Sequence, residues 1–388
     1  MCFFQVKEVQ DENSFLACLV DMNGEGKGMK TPTRYLLLLA LILAVGWKGP
    51  VAAADDSTLP KVRVENVRRV FWNGEHNAFT DLIRWNDRYY LTFRSCPDGH
   101  MVFPTAKIIV LASDDAESWE KVHEFSVPKR DTRDPHFLDF KGKLFIYTGT
   151  WYCGDSAPKR EDYDMNKHLG FGVWTEDGSK WSAPQQLEGT YGHYIWRATA
   201  HEGKAYLCAR RKNGYADGAG EQGWVQSAML ESEDGLRWRF TGMFQDKKGD
   251  ETDFLFEPDG QVVAIVRSKE STLSRSRPPY QKWDRKNMGV YIGGPMIARW
   301  GERYLVGGRK MDFDQEAKAR KPKTVLYWLK KDDSLEQVAT LPSGGDNSYT
   351  GFIELSPDKG LLSWYSSHEK DENGKTITAI YLADLIVE

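Results

Sequence analysis

The chain is poor in cysteine, in histidine and in uninterrupted apolar sequence. Its five cysteines include no C-x-x-C pair and its eight histidines are scattered over 388 residues, so no zinc-binding spacing is present. No cofactor or metal is expected. Basic residues do not predominate: 52 Lys and Arg stand against 56 Asp and Glu, a formal charge of −4, which argues against a nucleic-acid partner. The longest apolar run, YLLLLALILAVGW at 35–47, has 13 residues, well short of the ~20 that cross a bilayer. With 28% of residues charged, a polytopic membrane protein is excluded. Long helical periodicity is also missing. What the chain has in quantity is aromatics and glycine, with 14 Trp, 17 Tyr, 18 Phe and 35 Gly. That combination suits many short strands joined by tight turns.

The apolar run follows Lys30 and Arg34 and precedes Ala52-Ala53-Ala54. A basic segment, a short apolar segment and an A-x-A site together make a secretory signal peptide over 29–54, cleaved near Ala54. Residues 1–28 read as a misassigned extension ahead of Met29, and 55–388 as a single domain. The expected product is secreted or periplasmic, free of the membrane after cleavage, and monomeric. Of the cysteines, Cys96, Cys153 and Cys208 then remain, enough for one bridge but not for a disulfide framework.

Internal repetition is the strongest signal. SDDAESW at 113–119, TEDGSKW at 175–181 and SEDGLRW at 232–238 share a Ser/Thr-x-Asp-(Gly/Ala)-x-x-Trp pattern, and each follows a strand-like run. The chemistry is that of a tight turn: Asp accepts backbone N–H groups, Gly takes a left-handed conformation, and Trp packs back on the sheet. A hairpin unit also recurs six times, as HNAFTDLIRWNDRYYLTFRS, RDPHFLDFKGKLFIYTGT, WRATAHEGKAYLCARR, TDFLFEPDGQVVAIVRS, GGPMIARWGERYLVGGR and SYTGFIELSPDKGLLSWYSS. Six such units predict an all-β chain folded as a six-bladed β-propeller with four antiparallel strands per blade.

The Ser-x-Asp-x-x-x-Trp turns resemble the Asp-box (BNR) repeats of sialidases, each one residue shorter than the usual form. ETDFLFEPDG, PPYQKW, GGP, LPSGGDNSY and SWYSSHE resemble a group of secreted bacterial sialidase-like propellers. The resemblance spans about residues 70–386 and places the Asp boxes on the outer rim, away from the chemistry.

In a propeller, polar residues at the starts of first strands and the ends of second strands converge on the axis. Here those include Arg133, Asp134, Arg197, Glu251, Asp253, Asp346 and Tyr349 on first strands, with Arg94, Arg210, Arg267 and Arg309 on second strands. Arginine recurs at equivalent strand ends, which fits an anionic ligand. The resemblance implies an exo-acting glycoside hydrolase whose arginines clamp a sugar carboxylate, with a neutral tyrosine as nucleophile because a carboxylate would be repelled. On that pattern Tyr349 is the nucleophile and Glu251, 16 residues before Arg267, is its base. Asp98 in RSCPDGH is then the acid/base, with neighbouring His100 an alternative donor, and Arg309 matches a third clamp residue more loosely. The family's Arg-Ile-Pro segment is replaced by HNAFTD, leaving Arg94 on the next strand to substitute for its arginine.

RDP at 133–135 also resembles the Arg-Asp-Pro motif of invertase-like five-bladed glycosidases, in which Asp134 would contact sugar hydroxyls beside two other carboxylates. Three readings follow: a sialidase-type hydrolase of a terminal acidic sugar, a non-catalytic propeller binding acidic glycans, and a neutral-sugar glycosidase using paired carboxylates such as Asp134 and Glu251. All three take a glycan or glycoconjugate as partner.

Overall fold

The computed structural model describes residues 59–215, 224–316 and 318–388. The expected leader and the extension before it lie outside these residues. Among the described residues no helix is long and apolar enough to cross a membrane.

The chain is all-β, in a β-propeller arrangement. Six first strands, His76–Trp85, Arg130–Phe140, Tyr194–His201, Thr252–Phe256, Gly293–Trp300 and Asn347–Ser356, pack each against the next, and the last against the first. Four separate four-stranded antiparallel sheets follow from residues 130–186, 194–245, 252–287 and 293–340. Six separate blades are therefore not what is found: the remaining eight strands form one sheet. A single parallel bridge between His76 and Thr378 joins the strands of 76–125 to those of 347–387. The last sheet is completed by Val62–Phe71, which pairs antiparallel with Thr376–Val387 and so ties the two ends of the described fold together. This strand escaped the repeat pattern because its sequence, VRVENVRRVF, interrupts its apolar residues with charged ones and buries only Val62 fully.

The three Ser/Thr-x-Asp turns have one hydrogen-bonding scheme. Asp115 accepts from the amides of Glu117 and Ser118, Asp177 from Ser179 and Lys180, and Asp234 from Leu236 and Arg237. The leading hydroxyl accepts the amide of Ala116, Gly178 or Gly235. The turns also fasten neighbouring sheets. Tyr147 donates to the carbonyl of Gly235 at 2.9 Å, Trp238 packs edge-on to Tyr147, and Trp181 stacks on His123 at 5.1 Å.

Five of the six first strands share one irregularity that positions the site. Register shifts, the mark of a β-bulge, fall at 78/81, 133/135, 195/198, 293/296 and 348/351. At four of these a residue takes a positive φ: Phe79 (64°), Asp134 (51°), Gly294 (57°) and Tyr349 (54°). A bulge re-aims the side chain it carries, and left-handed backbone at bulky residues persists only where its surroundings enforce it. Beyond the bulges, the strands run into a buried layer. Trp196 is 1% exposed and lies edge-on to both His136 and Tyr349.

Candidate active site

At the bulged ends of the first strands lies a pocket of about 190 Å³. Tyr349 lines it, and its hydroxyl donates to Glu251 Oε1 at 2.7 Å. Arg267 holds the other oxygen of Glu251 at 2.6 Å and stands 3.5 Å from the tyrosine oxygen. Burial raises the Tyr349 phenol well above its ordinary value, Glu251 adds to that, and Arg267 opposes it. The phenol is neutral at rest and its proton faces a carboxylate.

Arg309 enters from the next sheet, tied by Nε to the Asn347 carbonyl at 2.8 Å and by Nη2 to Asp346 at 3.1 Å. Arg133 and Arg210 line the same pocket. Arg133 forks onto Asp131. Arg210 pairs with Asp250 at 2.7 Å and lies over the Tyr194 ring at 4.7 Å. Among the described residues no partner is found for Nη1 of Arg133, Nη2 of Arg267 or Nη1 of Arg309. Asp134 accepts from Tyr194, while its second oxygen is buried with no partner among the described residues. Burial, reinforced by the charge of Glu251, pushes Asp134 up to about 6. Four guanidinium groups, two carboxyls and a phenol thus share one small cavity, with Trp151, Tyr194 and Phe79 as its aromatic walls.

Several expected residues lie elsewhere. Arg94 is fully buried outside the pocket. Its guanidinium forks onto Asp131 at 2.8 and 3.2 Å and donates to the carbonyls of Gly99 and Met101, so it has nothing to offer a ligand. Arg133, on the far side of Asp131, occupies the pocket instead. Asp98 points away from the pocket: it accepts from Thr105 and lines a separate hollow of about 430 Å³ on the rim. His100, two residues on, is the member of that loop that reaches the pocket.

Arg197 and Asp253 are not in the pocket either. They line a hollow of about 380 Å³ formed by later residues of the first strands. There Arg197 pairs with Asp81 at 2.7 Å, and Asp253 accepts the amides of Phe254 and Ile297. Two residues beyond Glu251 on an alternating strand, Asp253 is carried away along the axis. Burial raises it to about 6, against the pull of Arg197.

Asp346 does not line the pocket but anchors its edge. One oxygen takes Arg309 and the Tyr365 hydroxyl; the other faces His76 Nε2 at 3.0 Å and His100 Nδ1 at 2.7 Å. Burial alone would raise this carboxyl, but the two imidazoles and Arg309 hold it well below the usual carboxylate range. His76, His100 and Asp346 form a set that could hold a metal ion, their donor atoms lying within 4.8 Å of one another. They fit one poorly. A ligating imidazole donates its second N–H to a polar partner, whereas Nδ1 of His76 is buried without one among the described residues. The Arg309 cation also sits on the shared carboxylate. Cys96, Cys153 and Cys208, the cysteines among the described residues, are buried and unbridged.

No protein-family model matches the chain, and neither does any curated protein. Solved structures do. A protein of unknown function from Dyadobacter fermentans DSM 18053 aligns over 85% of this chain and 100% of its own, with 18% identity and a TM-score of 0.69. Trypanosoma rangeli sialidase aligns at 12% identity, with TM-scores of 0.58 in complex with the inhibitor DANA and 0.59 with sialic acid. The chain shares their fold. It covers 84% of itself but only 60% of the sialidase in the DANA complex. At such identities the likeness speaks to architecture and not to chemistry. Arg133, Arg210 and Trp151 stand out in the sequence at strand ends. Phe79, Tyr194, Asp131, Asp250 and Tyr365 do not, since nothing in their local sequence separates them from packing residues.

Proposed function

We propose that the chain is a secreted glycoside hydrolase of sialidase type that removes a terminal acidic sugar, and that its eight-stranded sheet is two blades joined by one bridge in a six-bladed ring. One observation carries the catalytic reading: the 2.7 Å hydrogen bond from Tyr349 to Glu251 within a pocket shared by Arg267 and Arg309. A sugar with a carboxylate at its reacting carbon repels an anionic nucleophile, so a neutral phenol, deprotonated by Glu251 as it attacks, suits that substrate. Arg267 and Arg309 each keep an N–H for the carboxylate, and Arg133 and Arg210 extend the positive surface. Asp134, protonated below about pH 6, belongs to the same pocket but is almost wholly buried.

A neutral-sugar glycosidase using Asp134 and Glu251 is the second reading, favoured by the two carboxyls sharing one pocket, where burial and then the charge of Glu251 raise Asp134. The test is release of a fluorogenic aglycone from sialosides, uronosides and neutral glycosides by the mature chain and by Tyr349→Phe. Turnover of an acidic glycoside, lost by 10³-fold or more in Tyr349→Phe, is expected. Activity untouched by Tyr349→Phe overturns the tyrosine mechanism, turnover of neutral glycosides alone selects the paired carboxylates, and binding without turnover selects a lectin-like role.

A further inference from the structure

Cleavage of a glycoside whose leaving group is an alcohol needs a proton for the departing oxygen, and neither carboxyl in the pocket is placed to supply it. Glu251 is engaged by Tyr349 and Arg267. Asp134 is 3% exposed, with one oxygen bonded by Tyr194 and the other buried. Asp98 opens onto a different hollow.

We infer that His100, oriented by Asp346, is the acid/base that protonates the leaving group, which departs into the hollow beside Pro97–Gly99. The inference rests on the glycosidase reading above. With Nδ1 directed at Asp346 at 2.7 Å, Nε2 is the ring nitrogen left facing away from that carboxylate, and the side chain is 46% exposed. This is the logic by which a carboxylate on one ring nitrogen orients a catalytic imidazole. Position agrees with chemistry. His100 lines the axial pocket, while Pro97, Asp98 and Gly99 of the same loop line the rim hollow. A donor between the sugar pocket and the space for the aglycone is where the breaking bond lies.

The groups around the imidazole are few. Asp346 carries the charge of one carboxylate, offset by Arg309 on its other oxygen. His76 shares the carboxylate, its ring centre 5.4 Å from that of His100. Phe79 packs edge-on at 5.7 Å, Arg133 donates to the His100 backbone carbonyl, and the Tyr365 hydroxyl completes the second side of Asp346.

The step balances with water as sole co-reactant. The Tyr349 oxygen bonds to the anomeric carbon as Glu251 takes its proton. The C–O bond breaks with its electron pair on the leaving oxygen, which takes the proton of His100 Nε2. Water then attacks the same carbon, gives a proton to Nε2, and the tyrosine leaves, recovering its proton from Glu251.

The test compares two glycosides of the same acidic sugar, one with 4-nitrophenol and one with an alkyl or sugar alcohol as leaving group, in the full chain, His100→Ala, Asp346→Asn and Tyr349→Phe. A nitrophenolate departs without assistance. His100→Ala should lose about 10²–10⁴-fold in kcat/KM on the alcohol glycoside but less than tenfold on the nitrophenyl one, lose the basic limb of its pH profile, and regain kcat with azide. Asp346→Asn, a positioning change, should show the same selectivity at smaller size. Tyr349→Phe should lose both substrates alike. Equal losses on both substrates in His100→Ala with an unchanged melting temperature, or no loss on either, overturn the assignment. An active Tyr349→Phe beside a leaving-group-selective His100→Ala overturns only the nucleophile, and a wild-type chain inert on every glycoside overturns both.

Discussion

A Cβ on Gly294 would stand 2.6 Å from Cδ2 of Tyr349, so the tyrosine ring rests directly on a backbone that has no room for any side chain. Gly294 itself sits at φ 57°, where L-residues are strained. Two bulged first strands thus meet at the proposed nucleophile, one supplying the ring and the other its floor.

Gly294→Ala is accordingly expected to push Tyr349 off Glu251. An ångström of misplacement costs on the order of 10²-fold in rate, and kcat/KM on an acidic aryl glycoside should fall by about that factor. A crystal structure of the variant with Tyr349 unmoved would refute the explanation.

Arg94 and Arg267 should separate stability from binding. Arg94 is fully buried against Asp131, and breaking such a pair costs about 3–5 kcal/mol; Arg133, also on Asp131, should keep Arg94→Met near the lower figure. Denaturant unfolding measures this. Arg267→Met, in the open pocket, should instead weaken binding of an acidic monosaccharide by tenfold or more in calorimetry.

Asp253 should impose a pH dependence on stability. Its folded value lies near 6 against 3.8 for the free group. Because the folded pKa is raised, its protonated form is favoured by folding: the contribution is full below about pH 4 and is lost as pH rises through 6. Two units correspond to about 3 kcal/mol. Asp253→Asn should flatten the difference in unfolding free energy between pH 4 and pH 7 by an amount of that order, whatever constant penalty the amide brings. An unchanged slope would remove Asp253 as the cause.

Tyr147→Phe tests the turn as a fastener between sheets. The hydroxyl is buried and its bond to the Gly235 carbonyl joins two sheets. Losing it leaves that carbonyl without its donor, and a decrease of about 1–1.5 kcal/mol is expected. Thermal melts should show the change with no effect on ligand affinity.

The residues that share the pocket were partly legible because hairpin turns count residues. Glu251 and Arg267 flank one hairpin, and Arg210 and Arg309 end equivalent second strands, so register alone groups them. The same counting misled at Arg94, whose strand end is equivalent, because Asp131 on the neighbouring sheet intercepts its guanidinium. It misled again at Arg197, which sits in the bulge of its strand, and at Asp253, two residues farther along its strand than Glu251, because both are carried to another hollow. Between Asp98 and His100, neighbours on one loop, local sequence offers no way to choose. The path of that loop between two hollows decides it.

What the sequence determined by itself is the repeating hairpin and its turns. Alternating strands, Asp side chains that hold their own backbone amides, and glycine where φ is positive are local chemistry, legible without a partner. What only the tertiary structure decided is which charges remain available to a ligand. A guanidinium is free or spent according to the carboxylate that packing brings beside it, and that carboxylate comes from another sheet: Asp131 for Arg94, Asp250 for Arg210, Asp346 for Arg309.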